Sequence, residues 1–187
     1  MTNIVVLIKQ VPDTWSERKL SETDYTLDRE AADAVLDEIN ERAVEEALQI
    51  KEANGGEVTI LTAGPERATE AIRKALSMGA DKAIHIKDDA LHGSDAVQTA
   101  YVLARALGTV SAVVVAKDAA TAASFDTELG KFGAAQVVQA TAADYGQRIV
   151  TPEVDTLHAL AANNPAPIVL AATPTNNEIA GRLAARL

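Results

Sequence analysis

The chain has 187 residues, 48% of them hydrophobic but only 3% aromatic, and carries a formal net charge of −10. Such a length and hydrophobicity allow one substantial core, and the scarcity of rings means that small, Ala-rich helix–sheet contacts must fill it. With no cysteine present, disulfides, thiolate catalysis and Cys-based zinc sites are excluded, and the acidic balance argues against nucleic acid, whose phosphates require clustered Lys and Arg.

The first element is a strand over Ile4–Ile8, a run of successive apolar residues of the kind buried on both faces of a sheet. Lys9-Gln10-Val11-Pro12-Asp13-Thr14 follows it. Its Pro cannot continue a central ladder, so a functional loop is expected at the carboxyl end of the strand, where open α/β sheets hold their ligands. Trp15 to Asp37 is polar and acidic without sustained periodicity, and reads as a long surface excursion with a small hairpin or a short helix near Ala31–Leu36. A helix over Glu38–Asn54 comes next, with Ile39, Ala43, Ala47 and Ile50 on one face and Gly55-Gly56 as its stop.

Beyond that helix, strands are predicted over Val58–Thr62, Lys82–Ile86, Ala112–Ala116, Gln136–Ala140 and Ile168–Ala172. Helices over Arg67–Met78, Asp95–Leu107, Thr121–Phe132, Pro152–Ala162 and Asn177–Arg186 alternate with them. Ser94, Thr151 and Thr175 are the expected N-caps, since each offers a side-chain oxygen to free first-turn amides. The alternation predicts a single α/β domain over residues 1–187, Rossmann-like and three-layered, with a mostly parallel sheet. Val58–Ile86 is echoed by Ala112–Ala140, and Met78-Gly79-Ala80 by Phe132-Gly133-Ala134, as an internal βαβα repeat would be. No apolar run approaches the ~18 residues needed to span a bilayer. The opening residues lack the parts of a signal peptide, so a cytoplasmic protein without membrane insertion is expected.

Few residues offer chemistry. His85, His92 and His158 lack metal-ligand spacing, Asp88-Asp89 and Glu45-Glu46 read as solvated acids, and Trp15 reads as a packing anchor. There is no Ser-His-Asp arrangement, P-loop or glycine-rich dinucleotide fingerprint. Neither a catalytic residue nor a metal site is expected.

Four stretches carry a specific likeness: Lys9-Gln10-Val11-Pro12-Asp13, Asn40-Glu41-Arg42-Ala43-Val44-Glu45-Glu46-Ala47-Leu48, Thr62-Ala63-Gly64-Pro65, and Ala71 to Ala83. In order and spacing they closely resemble the β subunit of electron-transfer flavoproteins, over residues 1 to about 108. From Ser111 the chain instead resembles the amino-terminal domain of the partner α subunit, through Ala112-Val113-Val114-Val115, Ile149 to Asp155 and Glu178 to Arg186. The whole resembles a mosaic, 1–108 and 109–187, joined near Gly108-Thr109-Val110.

The resemblance implies an adenine nucleotide α-hydrolase-like fold and a non-catalytic role, binding AMP and docking to an α-type subunit whose FAD carries the electrons. It places Leu7, Lys9, Asn40, Ala63 and Gly64 at the nucleotide, and Asp13 and Thr14 toward the flavin-bearing partner. Asn40 has a second reading as a helix cap. The loop after the family's fourth strand, rich in Asp, Asn, Gly and Thr, is here Lys117-Asp118-Ala119-Ala120-Thr121-Ala122. FAD is expected only through a partner. The alternative is an engineered or recombined α/β chimaera, monomeric or weakly homodimeric, with no ligand and no electron-transfer activity.

Overall fold

A computed structural model describes residues 3–187, which fall into two compact units, residues up to Ser94 and residues from Asp95 onward. The first unit runs β1 (Ile4–Leu7), β2 (Gln10–Pro12), β3 (Ala34–Leu36), α1 (Glu38–Asn54), β4 (Val58–Ala63), a 3-10 turn (Glu66–Ala68), α2 (Thr69–Met78) and β5 (Lys82–Ile86). Strands β1, β4 and β5 form one parallel sheet in the order β1-β4-β5, with Val6 opposite Ile60 and Ile60 opposite Ala83. All three carboxyl ends therefore share one edge.

Helix α1 has the predicted limits because its ends are chemically marked. Asp37 accepts from the Ile39 amide at 2.8 Å, Glu38 and Glu41 stand in the first turn, Lys51 stands in the last, and Gly55 closes the helix at φ 69°. Acids at the amino end and a base at the carboxyl end both favour the helix dipole. Val44, Ala47 and Leu48 of α1, with Ala71, Ile72 and Ala75 of α2, cover Val6, Ile8, Val58 and Ile60. Removing Ile60 from water contributes roughly 1.5–3 kcal/mol. At the other end of the sheet, Lys51 meets Asp81 at 2.7 Å, and Asp81 also accepts from the Val58 amide at 2.8 Å. The Lys51 ammonium first, and the Val58 amide second, hold the Asp81 carboxyl below its ordinary range.

The first strand departs from expectation. Val6 and Ile8 are buried but Val5 and Leu7 keep 37% and 38% of their surface, so β1 is covered on one face and not on both. The cause is its place: β1 is an edge of the described sheet, and α1 packs against one side of it. The stretch expected as a loop also differs, because Gln10–Pro12 pairs antiparallel with Ala34–Leu36. Pro12 is tolerated there as the last residue of a two-stranded ribbon. The excursion is thus a ribbon with an extra antiparallel bridge, Leu20 to Leu27, and no short helix at 31–36. Arg67 fastens it: the guanidinium donates to the carbonyls of Arg29 and Ala32 and faces Glu30 at 3.5 Å. His92 meets Asp24 at 3.2 Å. The Thr26 amide and hydroxyl, then His92, keep the Asp24 carboxyl well below the usual carboxylate range.

The second unit runs α3 (Ala96–Leu107), β6 (Ser111–Ala116), α4 (Ala119–Ala123), α5 (Asp126–Lys131), β7 (Gln136–Thr141), α6 (Thr151–Asn163) and α7 (Pro174–Ala184). β6 and β7 pair in parallel, with Val113 opposite Val138. Helices α6 and α7 close on Val150, Val154, Leu157, Ile179 and Leu183, and Val113 and Leu170 pack against that cluster.

Five expectations about these elements fail. Ile168–Ala172 forms no strand: Leu170 leans on the cluster, and the Ala171 carbonyl is taken by the Thr173 amide and the Asn176 side chain at the start of α7. The helix over 121–132 is broken into α4 and α5, where the Ser124 hydroxyl donates to the Thr121 carbonyl at 2.7 Å. Caps shift by a residue or two, since Asp95 rather than Ser94 caps α3, and Thr173 rather than Thr175 caps α7. Thr151 does not cap α6, because its hydroxyl donates back to the Ile149 carbonyl at 3.3 Å, and Val150 before it is left-handed at φ 51°. Among the described residues, no helix is long and apolar enough to cross a membrane.

Candidate functional site

The edge shared by the carboxyl ends of β1, β4 and β5 is where the fold makes a site possible, because helices start there and strand backbones leave their ladder. Leu7 ends β1 and Ala63 ends β4, so the structure brings these two positions to neighbouring strand ends. Gly64 follows Ala63 in a turn whose polar groups are both fixed. Its amide donates to the Ile86 carbonyl at 3.1 Å, and its carbonyl meets His85 Nε2 at 2.9 Å. A Cβ at Gly64 would come within 3.2 Å of the Ala68 Cβ, so the turn packs closely as it stands.

Lys9 and Asn40 come together on the β1 side. The Lys9 amide donates to Asn40 Oδ1 at 2.9 Å, the Lys9 carbonyl accepts from the Asp37 amide at 3.2 Å, and Lys9 Nζ stands 3.3 Å from Asp37 Oδ2. Asn40 is therefore a bridge between the strand end and the helix. It is not the cap of α1, a task that belongs to Asp37. Burial opposes ionisation of Asp37, but the Ile39 amide and the Lys9 ammonium together outweigh it and hold the carboxyl below its ordinary range.

Asp13 and Thr14 lie at the far end of the β2–β3 ribbon. Asp13 accepts from the Trp15 amide at 2.9 Å through its side chain, and its own amide donates to the Asp33 carbonyl at 2.7 Å. Both groups shape a turn. Trp15 beyond it is 95% exposed and anchors nothing, which corrects its reading as a packing residue. Within the same unit, a cleft of about 250 Å³ lies between β3, α1 and α2, lined by Ala34, Val35, Leu36, Glu41, Glu70, Ala71 and Lys74.

Asp37, His85, Arg67 and Gln10 support this edge but were not singled out as site residues by the sequence. Gln10 Nε2 donates to the Arg67 carbonyl at 3.0 Å, tying the ribbon to the start of α2. Asp37 had a legible signal, an acid directly ahead of an acidic first turn. The other three act through partners far along the chain. Among the described residues, no group of three or more His, Asp or Glu is set to hold a metal ion.

Comparison with known proteins gives one consistent picture. The family model for the electron transfer flavoprotein domain matches residues 24–109 and again 103–187. Electron transfer flavoprotein subunit beta of Mycobacterium tuberculosis is 80% identical over 115 residues, which cover 59% of this chain and 43% of the relative. The corresponding subunit of Mycobacterium leprae is 78% identical over the same length, and that of Thermoanaerobacterium thermosaccharolyticum is 44% identical over 105 residues, 56% of this chain and 40% of the relative. The matched part is the N-terminal ~115 residues, whereas the C-terminal part is matched by the family model alone. The chain spans less than half the length of these curated relatives.

Proposed function

Because the chain belongs to the electron transfer flavoprotein domain family, we propose that it is a non-catalytic AMP-binding and docking domain that supports electron transfer by a partner-bound FAD. The observation that carries this reading is the 80% identity to a β subunit over 115 residues, a stretch that contains β1, α1, β4 and the whole edge around Lys9, Asn40 and Gly64. In this reading Leu7, Lys9, Asn40, Ala63 and Gly64 contact the nucleotide. Asn40 and Gly64 suit that task because each is already held in place, Asn40 by the Lys9 amide and Gly64 by Ile86 and His85. Asp13 and Thr14 face an α-type subunit, and the protein works in the cytoplasm. The flavin supplies the redox chemistry, and the polypeptide contributes binding and orientation.

A second reading has its own support: residues 1–108 come from a β-type and 109–187 from an α-type subunit, recombined into one chain that has kept the fold without the activity. The two family matches overlap only at residues 103–109, around the junction at Gly108-Thr109-Val110. The loop Lys117–Ala122 is also closed on itself, with Asp118 accepting from the Thr121 amide at 2.8 Å and from its hydroxyl at 3.0 Å. One experiment separates the two. Small molecules released from the folded, purified protein are identified by mass spectrometry, and co-purification with an α-type subunit is scored in the same preparation. AMP release or subunit capture sustains the binding domain. An empty protein that captures no subunit leaves the inert chimaera.

A further inference from the structure

Resting on the docking reading above, we propose that Trp15 is the central contact of the surface that meets the α-type subunit, and that its ring enters an apolar socket with a basic rim on that subunit. Trp15 is the chain's one tryptophan. At 95% exposure it is the least covered of the large apolar side chains among the described residues. Its backbone is fixed all the same. Asp13 Oδ1 accepts from the Trp15 amide at 2.9 Å, and the Ser16 amide donates to the Asp13 carbonyl at 3.1 Å. The Asp13 amide donates to the Asp33 carbonyl at 2.7 Å, which ties this turn to the opposite limb of the ribbon. Arg67, just ahead of α2, holds that limb through the carbonyls of Arg29 and Ala32.

A large ring carried on a tied backbone loses only the rotations of its own side chain when a partner covers it, so little of the gain from burial is spent on ordering. Rings of this kind supply much of the energy at the centre of protein interfaces. Two observations select the occupant. Trp15 directly follows Asp13 and Thr14, the residues that the docking reading turns toward the α-type subunit, so a partner that reaches them meets the ring. Charge sets the character of that partner's face: from Asp13 to Asp33 the chain carries seven acids against three bases. A basic rim complements this stretch, whereas a second copy, itself at net charge −10, or an anionic bilayer would repel it.

Because Trp15 is the sole tryptophan, the full chain labelled with 5-fluorotryptophan gives one fluorine resonance that reports on this ring alone. The probe is the unlabelled α-type subunit of Mycobacterium tuberculosis, the organism of an 80% identical β subunit. Adding it is expected to move the resonance saturably, with an affinity that falls as salt rises. In isothermal titration, Trp15→Ala should bind the subunit about thirtyfold more weakly, and Trp15→Phe should recover part of the loss. The urea midpoints of both variants should match that of the parent chain, since so exposed a ring adds little to the chain's own core. A subunit that binds without moving the resonance, or that binds Trp15→Ala as tightly as the parent, overturns this inference and leaves the docking reading standing. A resonance that moves with the concentration of the chain alone gives the ring to a second copy and overturns it as well. If the parent chain does not bind the subunit at all, the docking reading fails and this inference fails with it.

Discussion

In the first unit two helices close over one face of a three-stranded sheet, and Val44, Val58, Ile60 and Ala75 lose all contact with water. In the second, the two strands keep Val113, Val114 and Val115 only half-buried, and the cluster formed by α6 and α7 is small. The two halves share the same parallel βαβ logic but not the same depth of burial. Since stability follows the apolar surface removed from water, the first unit should hold most of the protein's resistance to unfolding. It is also the half that retains 80% identity to a β subunit.

The strongest way to break that contrast is to empty its centre. Ile60→Ala should cost about 2–5 kcal/mol, read as a lowered urea midpoint by circular dichroism. The matching change in the second unit, Val154→Ala, should cost about 2 kcal/mol. Its effect on hydrogen exchange should stay within α6 and α7 while β4 amides remain protected. If Val154→Ala proves the more damaging of the two, the second unit carries the stability and the comparison is reversed.

Smaller effects sharpen the picture within the first unit. Arg67→Ala frees the carbonyls of Arg29 and Ala32 and should cost about 1–2 kcal/mol. The sign would be faster protease cleavage between residues 16 and 37, with no change in the second unit. Acid acts through Asp81 and Asp37, both held below their ordinary range. A depressed carboxyl contributes stability that is present above its unfolded pKa and lost as pH falls through its folded one, so the loss begins below about pH 4. Asp81→Asn should blunt the acid-induced loss of protection at the start of β4. An unchanged acid midpoint in that variant would show that the Lys51–Asp81–Val58 tie is not what acid breaks.

The sequence carried the local parts of this structure well and the shared parts poorly. The limits of helix α1 were legible because Asp37, the acidic first turn, Lys51 and Gly55 all mark them within its own length, but its buried face was not: Ile39, Ala43 and Ile50 are exposed, and Val44, Ala47 and Leu48 face the core. Strand β5 was likewise legible from Lys82 to Ile86. Ile168–Ala172 misled because an apolar run states a wish to be buried and not which partner will bury it: α7 and the cluster took what a strand would have needed. The strand ends at Leu7 and just before Gly64 were readable because each lies on one short segment. The bridge from Lys9 to Asn40, the His85 contact to Gly64 and the Arg67 fastening join residues distant along the chain, and no periodicity announces such pairs.

The register of β1 against β4 bears on how the molecule assembles. Asn3 reaches Glu57 across 54 residues, while the neighbouring ladders close over far less chain, as Lys82 reaches Glu57 across 25 and Ser111 reaches Gln136 across 25. Closing roughly twice the loop adds only about 0.6 kcal/mol of entropy, but that entropy is lost before the contact returns anything, and distant pairings are slow for that reason. On refolding, β4–β5 and β6–β7 should gain exchange protection first and β1 afterwards. The carboxyl end of β1, with Leu7 and Lys9, would then be among the last places to form, so the edge proposed to hold a ligand exists only once the first unit is otherwise complete.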